Sequence, residues 1–286
     1  MPANLTEFLE ILHFGSVARW LLYTPAVTHR SVLHPGEVAG ILVGGSAAVR
    51  ELREDIVLAS RAPVRVMIVG EYGVGKRRLA RLIHRQSVRS RAPFVSVRCA
   101  ELETAIEPVL FGSRGVAGAF DRADGGTVFL EDVETLLPAA QARLKQFVAS
   151  GEIQPVGGKS VSRRTNVRVL CAARVPLAER LTSGTFCQEL YYLLNTIYLP
   201  VPPLRERPED IEPLLEYFTA YYARRTGVAI PRLTHECRAS CRAHHWPGNM
   251  RQLQTAASLF ATRTVPHPPV AVLESAERMC REQHTE

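Results

Sequence analysis

Val66-Met67-Ile68-Val69-Gly70-Glu71-Tyr72-Gly73-Val74-Gly75-Lys76 decides how the rest of the chain is read. The apolar, largely β-branched run predicts a buried strand, and Leu79, Ala80, Leu82 and Ile83 recur beyond the loop at helical spacing. Strand, G-x-x-x-x-G-K and helix in that order make a phosphate-cradling P-loop. Its glycines let backbone N–H groups converge on phosphate oxygens, the new helix points its positive end at them, and the lysine adds a point charge. The chain has three lysines (Lys76, Lys145, Lys159) against thirty-two arginines, so a lysine at this one position is not background. The candidate nucleotide-binding set therefore starts with Gly70, Glu71, Tyr72, Gly73, Val74, Gly75 and Lys76. The Ser or Thr that usually follows the lysine to hold Mg²⁺ is replaced by Arg77.

A chain of 286 residues, 46% apolar and 22% charged, suits a globular protein with a sizeable core. No run approaches eighteen apolar residues, and the acidic start (Glu7, Glu10) lacks a basic n-region, so neither a membrane span nor a signal peptide is expected. Six scattered cysteines fit reduced thiols in a cytoplasmic setting better than a disulfide framework. The net charge of +7 raises nucleic-acid binding, but the arginines are spread along the chain in short groups. A general arginine bias explains that pattern as well as a DNA groove does, and direct DNA binding is not expected.

Outward from the loop, strands and helices alternate from about Ile41. A helix is expected near Ala47–Ala59, strands at Phe94–Val97, Thr127–Leu130 and Val167–Cys171, and helices near Pro138–Ala149 and Pro176–Leu181. That alternation predicts an α/β fold with a parallel sheet flanked by helices. After Pro200-Val201-Pro202-Pro203 the strand signal fades, and residues 208–286 read as helices with turns at Gly227 and Pro247-Gly248. The expected division is an N-terminal helical segment and linker over 1–38, an α/β nucleotide-binding part over 39–204, and a helical lid with a short tail over 205–286. The apolar stripe Leu5, Phe8, Leu9 and Leu12 is either a partner helix or one packed on its own domain.

Further segments fit one family. They are Leu42-Val43-Gly44-Gly45-Ser46, Leu110-Phe111-Gly112, Ala123–Leu130, Gly151-Glu152 with Val156-Gly157-Gly158, Leu190-Tyr191-Tyr192, Pro202–Arg207 and Trp246-Pro247-Gly248-Asn249-Met250-Arg251. In this order, over about 41–263, the chain resembles the AAA+ domain of bacterial enhancer-binding activators, the ATPases that remodel RNA polymerase carrying sigma-54. The resemblance implies a P-loop α/β domain with a C-terminal helical lid and ATP or ADP as ligand. Val43 and Gly44 would lie near the adenine, and Arg251 would reach from the lid to the phosphates.

The departures from the family fall where hydrolysis and output are carried. The family's Asp-Glu, for Mg²⁺ and for the attacking water, is reversed to Glu131-Asp132, which become the candidate catalytic pair. Its glutamate-switching asparagine falls at Arg98, and its γ-phosphate-sensing Thr-Asn at Ala173-Arg174. The two arginines that a neighbouring subunit would insert fall at Cys187 and Leu193, which carry no charge. By resemblance this implies impaired hydrolysis, with Arg77, Arg98 and Arg174 supplying charge at the phosphate end and the need for Mg²⁺ left open. The alternatives are a working ATPase with a rearranged site and an interaction module that binds no nucleotide.

The sigma-54-touching GAFTGA loop is shortened to Ser113–Arg122, leaving only the echo Gly118-Ala119-Phe120. That argues against the sigma-54 contact and for another protein partner, either an AAA+ relative or a transcription component. Loss of the inserted arginines weakens the case for the family's hexamer and leaves an oligomer open. Residues 1–38 are too short for a receiver domain. After Arg263 a proline-rich stretch and one short helix show no helix-turn-helix pattern. Cys237 and Cys241 share a helix face with His244-His245 following, but sit at apolar positions, so no metal site is expected. His84, on the helix after the P-loop, reads as structural.

Overall fold

The computed structural model describes residues 42–102, 105–113, 115–157, 162–262 and 269–285. The N-terminal segment and its apolar stripe lie outside the described residues, as do Arg114, Gly158 and Lys159.

Helix α1 (Ala47–Arg61) is capped by Ser46, whose hydroxyl accepts from the Val49 N–H at 3.2 Å. Strand β1 (Val66–Val69) runs into the P-loop, and helix α2 (Lys76–Arg85) leaves it with Gly75 as N-cap. Then come β2 (Phe94–Arg98), the short helices α3 (Ile106–Phe111) and α4 (Ala119–Arg122), and β3 (Thr127–Glu131). Helix α5 (Pro138–Ser150) starts with proline in its first turn and closes on Gly151. A two-stranded antiparallel ribbon follows, β4 (Glu152–Ile153) with β5 (Arg163–Arg164). Strand β6 (Arg168–Ala173), helices α6 (Ala178–Thr182) and α7 (Gln188–Leu194), and β7 (Ile197–Pro200) complete the α/β part.

The five long strands form one parallel sheet in the order β2-β3-β6-β1-β7. Strand β1 lies inside the sheet and is covered on both faces, which is why it reads as a continuous apolar run: all four of its residues are buried. In register, Val69 sits beside Ala173, and Arg98 beside Glu131. The carboxyl ends of β1, β3 and β6 therefore meet at one edge, where open α/β sheets bind ligands. The Phe111, Phe120 and Phe147 rings pack in the main core, with the last two stacked at 3.8 Å. Phe120 and Ala119 are fully buried, so the GAFTGA echo is core, while residues 115–117 just before it are exposed.

Beyond β7 come the helices α8 (Ile211–Thr226), α9 (His235–Ala243), α10 (Asn249–Thr262) and α11 (Pro269–Thr285). They close around a second core that includes Leu214, Phe218, Trp246, Leu253 and Ala276. Cys237 and Cys241 are buried in that core beside Trp246, whose indole N–H donates to the Cys241 carbonyl at 2.9 Å. Helix α11 runs to 17 residues, longer than the short tail helix expected from sequence, because Val272, Leu273, Ala276 and Cys280 repeat an apolar face that the lid core buries. Two further expectations shift. The helix expected from Pro176 starts at Ala178, and strand β7, hidden before the Pro-rich stretch, was not read from sequence. Among the described residues no helix is long and apolar enough to cross a membrane.

Candidate functional site

The P-loop is held from both sides. The Gly70 N–H donates to the Ala173 carbonyl at 3.2 Å, and the loop's tip meets the lid. Gly73 has a φ of +79°, and a Cβ there would sit 2.2 Å from the Gly248 carbonyl oxygen, so only glycine fits. Lys76 donates through Nζ to the Gly70 and Glu71 carbonyls at 2.6 and 3.0 Å, its ammonium resting on the loop it would share with phosphate. Burial pulls its pKa below the ordinary value, and the nearby Asp132, Glu134 and Glu131 carboxylates oppose that shift. Val74 is fully buried and anchors the loop's far side.

Asn249 locks the lid to this loop. It is fully buried, with a φ of +49°. Its Oδ1 accepts the Leu204 N–H at 2.8 Å, and its Nδ2 donates to the Tyr72 carbonyl at 2.9 Å and to Glu71 Oε2 at 3.2 Å. Arg205 grips the Glu71 carboxylate with two bonds, at 2.5 and 2.8 Å, which holds that carboxyl below the usual range. Arg251 lies over the Tyr72 ring, 5.2 Å from its centroid, and donates to the Tyr72 hydroxyl.

Val43 packs against the lid core. Gly44, at φ +126°, leaves no room for a side chain: a Cβ would fall 2.1 Å from Asp210 Oδ1. Fully buried Asp210 accepts the Gly45 and Ser46 N–H groups at 2.8 and 2.9 Å and the Ser46 hydroxyl at 2.5 Å. It thereby ties the Val43–Ser46 turn to the start of α8.

At the carboxyl ends of β3 and β6 the two acids are each bound by arginine. Glu131 Oε1 accepts from Arg77 Nε at 2.6 Å and from the Ser96 hydroxyl at 2.9 Å. Asp132, at 7% exposure and with a φ of +56°, accepts from Arg174 through both oxygens, each at 2.9 Å. The bidentate pair raises the Arg174 pKa further. Arg98 turns instead to Glu101, its partner three residues on. Glu134 is also buried here. Its Oε1 accepts the Arg174 backbone N–H at 3.0 Å while its Oε2 has no partner, and burial raises its pKa.

The structure thus brings together Gly70–Arg77, Glu131, Asp132, Arg174 and Arg251, with Val43 and Gly44 at the lid side. Sequence reasoning missed Asp210, Glu134, Ser96 and the locking role of Asn249. The run Arg205-Glu206-Arg207-Pro208-Glu209-Asp210 held a signal for the first: an acid placed at the opening turn of a helix. Of the two positions that the resemblance assigns to trans arginines, Cys187 is half-buried and Leu193 lies on α7; neither side chain is a cation.

Residues 42–200 match the Sigma-54 interaction domain family, and residues 205–264 match the AAA+ ATPase lid domain. Curated relatives include the transcriptional regulatory protein ZraR of Klebsiella oxytoca, 39% identical over 75% of this chain and 51% of that protein. The C4-dicarboxylate transport regulator DctD of Rhizobium meliloti is 36% identical over 77% of this chain and 50% of its own length. The chain spans about half the length of the curated relatives it matches. Among solved structures, NtrX from Brucella abortus, crystallised in complex with ADP and with ATP, superposes with a TM-score of 0.75 in both cases. It is 32% identical, and the matches cover 79% of this chain and 52% and 51% of NtrX.

Proposed function

Because the chain belongs to the Sigma-54 interaction domain family, with an AAA+ lid behind it, we propose that it is a nucleotide-binding transcription regulator impaired in hydrolysis, working through protein contacts. The observation that carries this reading is the bidentate Arg174–Asp132 pair. It occupies both oxygens of the carboxylate that would have to polarise an attacking water. A carboxylate bound at both oxygens by a permanent cation is a poor base, and a misplacement of about an ångström in such chemistry costs on the order of a hundredfold.

Nucleotide binding is supported by the glycines and lysine of the P-loop, by Lys76 among exchangeable carbonyl partners, and by the NtrX complexes with ADP and ATP. The adenine end would lie by Val43 and Gly44, and the phosphates by Gly70–Lys76 under Arg251. Glu131 and Asp132 stay in place as acids without serving hydrolysis. The partner would be an AAA+ relative or a transcription component. Burial of Ala119 and Phe120 keeps the echo of the signature out of any such contact.

Titrating a fluorescent ATP analogue while measuring phosphate release tests the reading. Stoichiometric binding that Lys76→Ala abolishes, without turnover, is the expected result. Turnover abolished by Lys76→Ala would instead establish a working ATPase with a rearranged site. No binding would leave an interaction module without nucleotide.

A further inference from the structure

The Mg²⁺ that P-loop ATPases carry does not fit the residues present. A magnesium seat needs oxygen ligands in near-octahedral array, usually one or two carboxylates, a P-loop hydroxyl and phosphate oxygens. Here the hydroxyl position carries Arg77, which has no acceptor atom. One carboxylate, Glu131, is bound by Arg77 and Ser96; the other, Asp132, is bound through both oxygens by Arg174. The charges make the same point. Two carboxylates facing two guanidiniums sum to zero, which is the sum that a divalent ion would produce on the same acids. Seating Mg²⁺ requires both pairs to open and leaves two displaced guanidiniums beside a dication.

We propose that Arg77 and Arg174 are built-in counter-charges standing in for the divalent ion, and that this pocket takes an adenosine di- or triphosphate free of metal. The inference rests on the nucleotide-binding reading and names the form of ligand that the pocket selects. Both arginines sit where they can serve phosphate as well as acid. Arg77 is in the first turn of the helix that leaves the P-loop, and Arg174 follows the last residue of β6, which lies beside β1 in the sheet. Each guanidinium has five N–H donors, and the observed bonds to the acids use one of them on Arg77 and two on Arg174, leaving others for phosphate oxygens. Arg98 is not paired with either of these two acids; its observed partner is Glu101.

Isothermal titration of ATP, and separately ADP, into the wild-type protein in excess Mg²⁺ and in EDTA tests this. Binding in EDTA should equal or exceed that in Mg²⁺, because Mg²⁺ sequesters the free nucleotide. In the double variant Arg77→Thr/Arg174→Asn, which restores a hydroxyl and frees Asp132, Mg²⁺ should tighten ATP binding by about tenfold, or ~1.4 kcal/mol. Wild-type binding that Mg²⁺ tightens by about tenfold or more overturns the proposal and leaves the nucleotide-binding reading standing. Binding in neither condition overturns both. A folded double variant as indifferent to Mg²⁺ as the wild type refutes the assignment to these two arginines. The EDTA comparison needs no variant, so a misfolded double variant leaves the test intact.

Discussion

Asn249→Ala should unlock the lid from the P-loop, and the cost follows from its bonds. The fully buried side chain accepts from the Leu204 N–H in the interior and donates to the Tyr72 carbonyl and the Glu71 carboxylate at a partly buried edge. The three bonds contribute about 0.5–1 kcal/mol each, and leaving the Leu204 N–H unpaired in the interior adds about 1 kcal/mol, which brings the loss to ~3–4 kcal/mol. For a unit of this size that lowers Tm by roughly 6–16 °C. Arg205→Ala, by contrast, removes a partly exposed pair with Glu71 and should cost less than ~1 kcal/mol. Urea denaturation of both variants, followed by tryptophan fluorescence, measures the difference, since Trp246 lies in the lid core. The same variant should weaken nucleotide binding, because the Tyr72 carbonyl loses the partner that fixes the loop tip. An Asn249→Ala protein within ~1 kcal/mol of wild type would refute the claim that this residue joins lid to loop.

Other perturbations test other parts of the fold. Phe120→Ala removes a ring stacked on Phe147 and should cost ~3–5 kcal/mol in denaturant melts, an outcome incompatible with an exposed contact loop. Burial holds His84 below its ordinary pKa of 6.5, so the unfolded chain takes up the proton first, and stability falls as pH drops below about 6.5 toward the folded value. His84→Leu should flatten that slope in melts between pH 7 and 5, leaving the part due to His244, which burial also lowers. In the nucleotide-free protein Arg174→Ala should cost ~2 kcal/mol by stranding buried Asp132, whereas Arg77→Ala, whose arginine is 43% exposed, should cost less than ~1 kcal/mol. A double-mutant cycle with Asp132→Ala should return a coupling of at least ~1 kcal/mol, and a coupling near zero would remove the pair from the account.

The α/β part was legible because its strands are buried on both faces and its loop chemistry is local. Val66–Val69 needs only its own residues to read as a strand, and Gly73 needs only the loop's glycine spacing to read as a turn. Cys237 and Cys241 were equally plain, since their helical spacing put them in an apolar stripe. The illegible features are those settled by long-range partners. Strand β7 gains its identity from pairing with β1, and the Pro-rich sequence beside it hides that. Asp210 looks like a helix-start acid and becomes a clamp only when Gly45 and Ser46, 165 and 164 residues away, come to meet it. Arg77, Arg98 and Arg174 form one group facing the phosphates only by resemblance to the family. The resemblance implies that they approach the same end of the pocket, but not which anion each takes, and Arg98 meets Glu101, three residues on.

That division among the arginines bears on whether the pocket is a relic. Loss of a metal site by unconstrained drift would leave two bare carboxylates at the end of β3, one of them in a position only 7% exposed, with a desolvation cost of several kcal/mol and mutual repulsion. Arginine arriving at random would relieve this only if its reach and direction matched. Arg77 comes from the helix after the P-loop and Arg174 from the end of β6, yet each meets a different acid, and Arg174 does so with a planar fork on both oxygens. Drift in one of them would not draw in the other, because the two sit on separate elements and share no bond. Stability alone would be served more simply by replacing the acids with apolar residues, which is often neutral or favourable for buried ion pairs. Keeping the acids, adding the cations and retaining the phosphate loop, with Lys76, together fit a pocket still built around an anion.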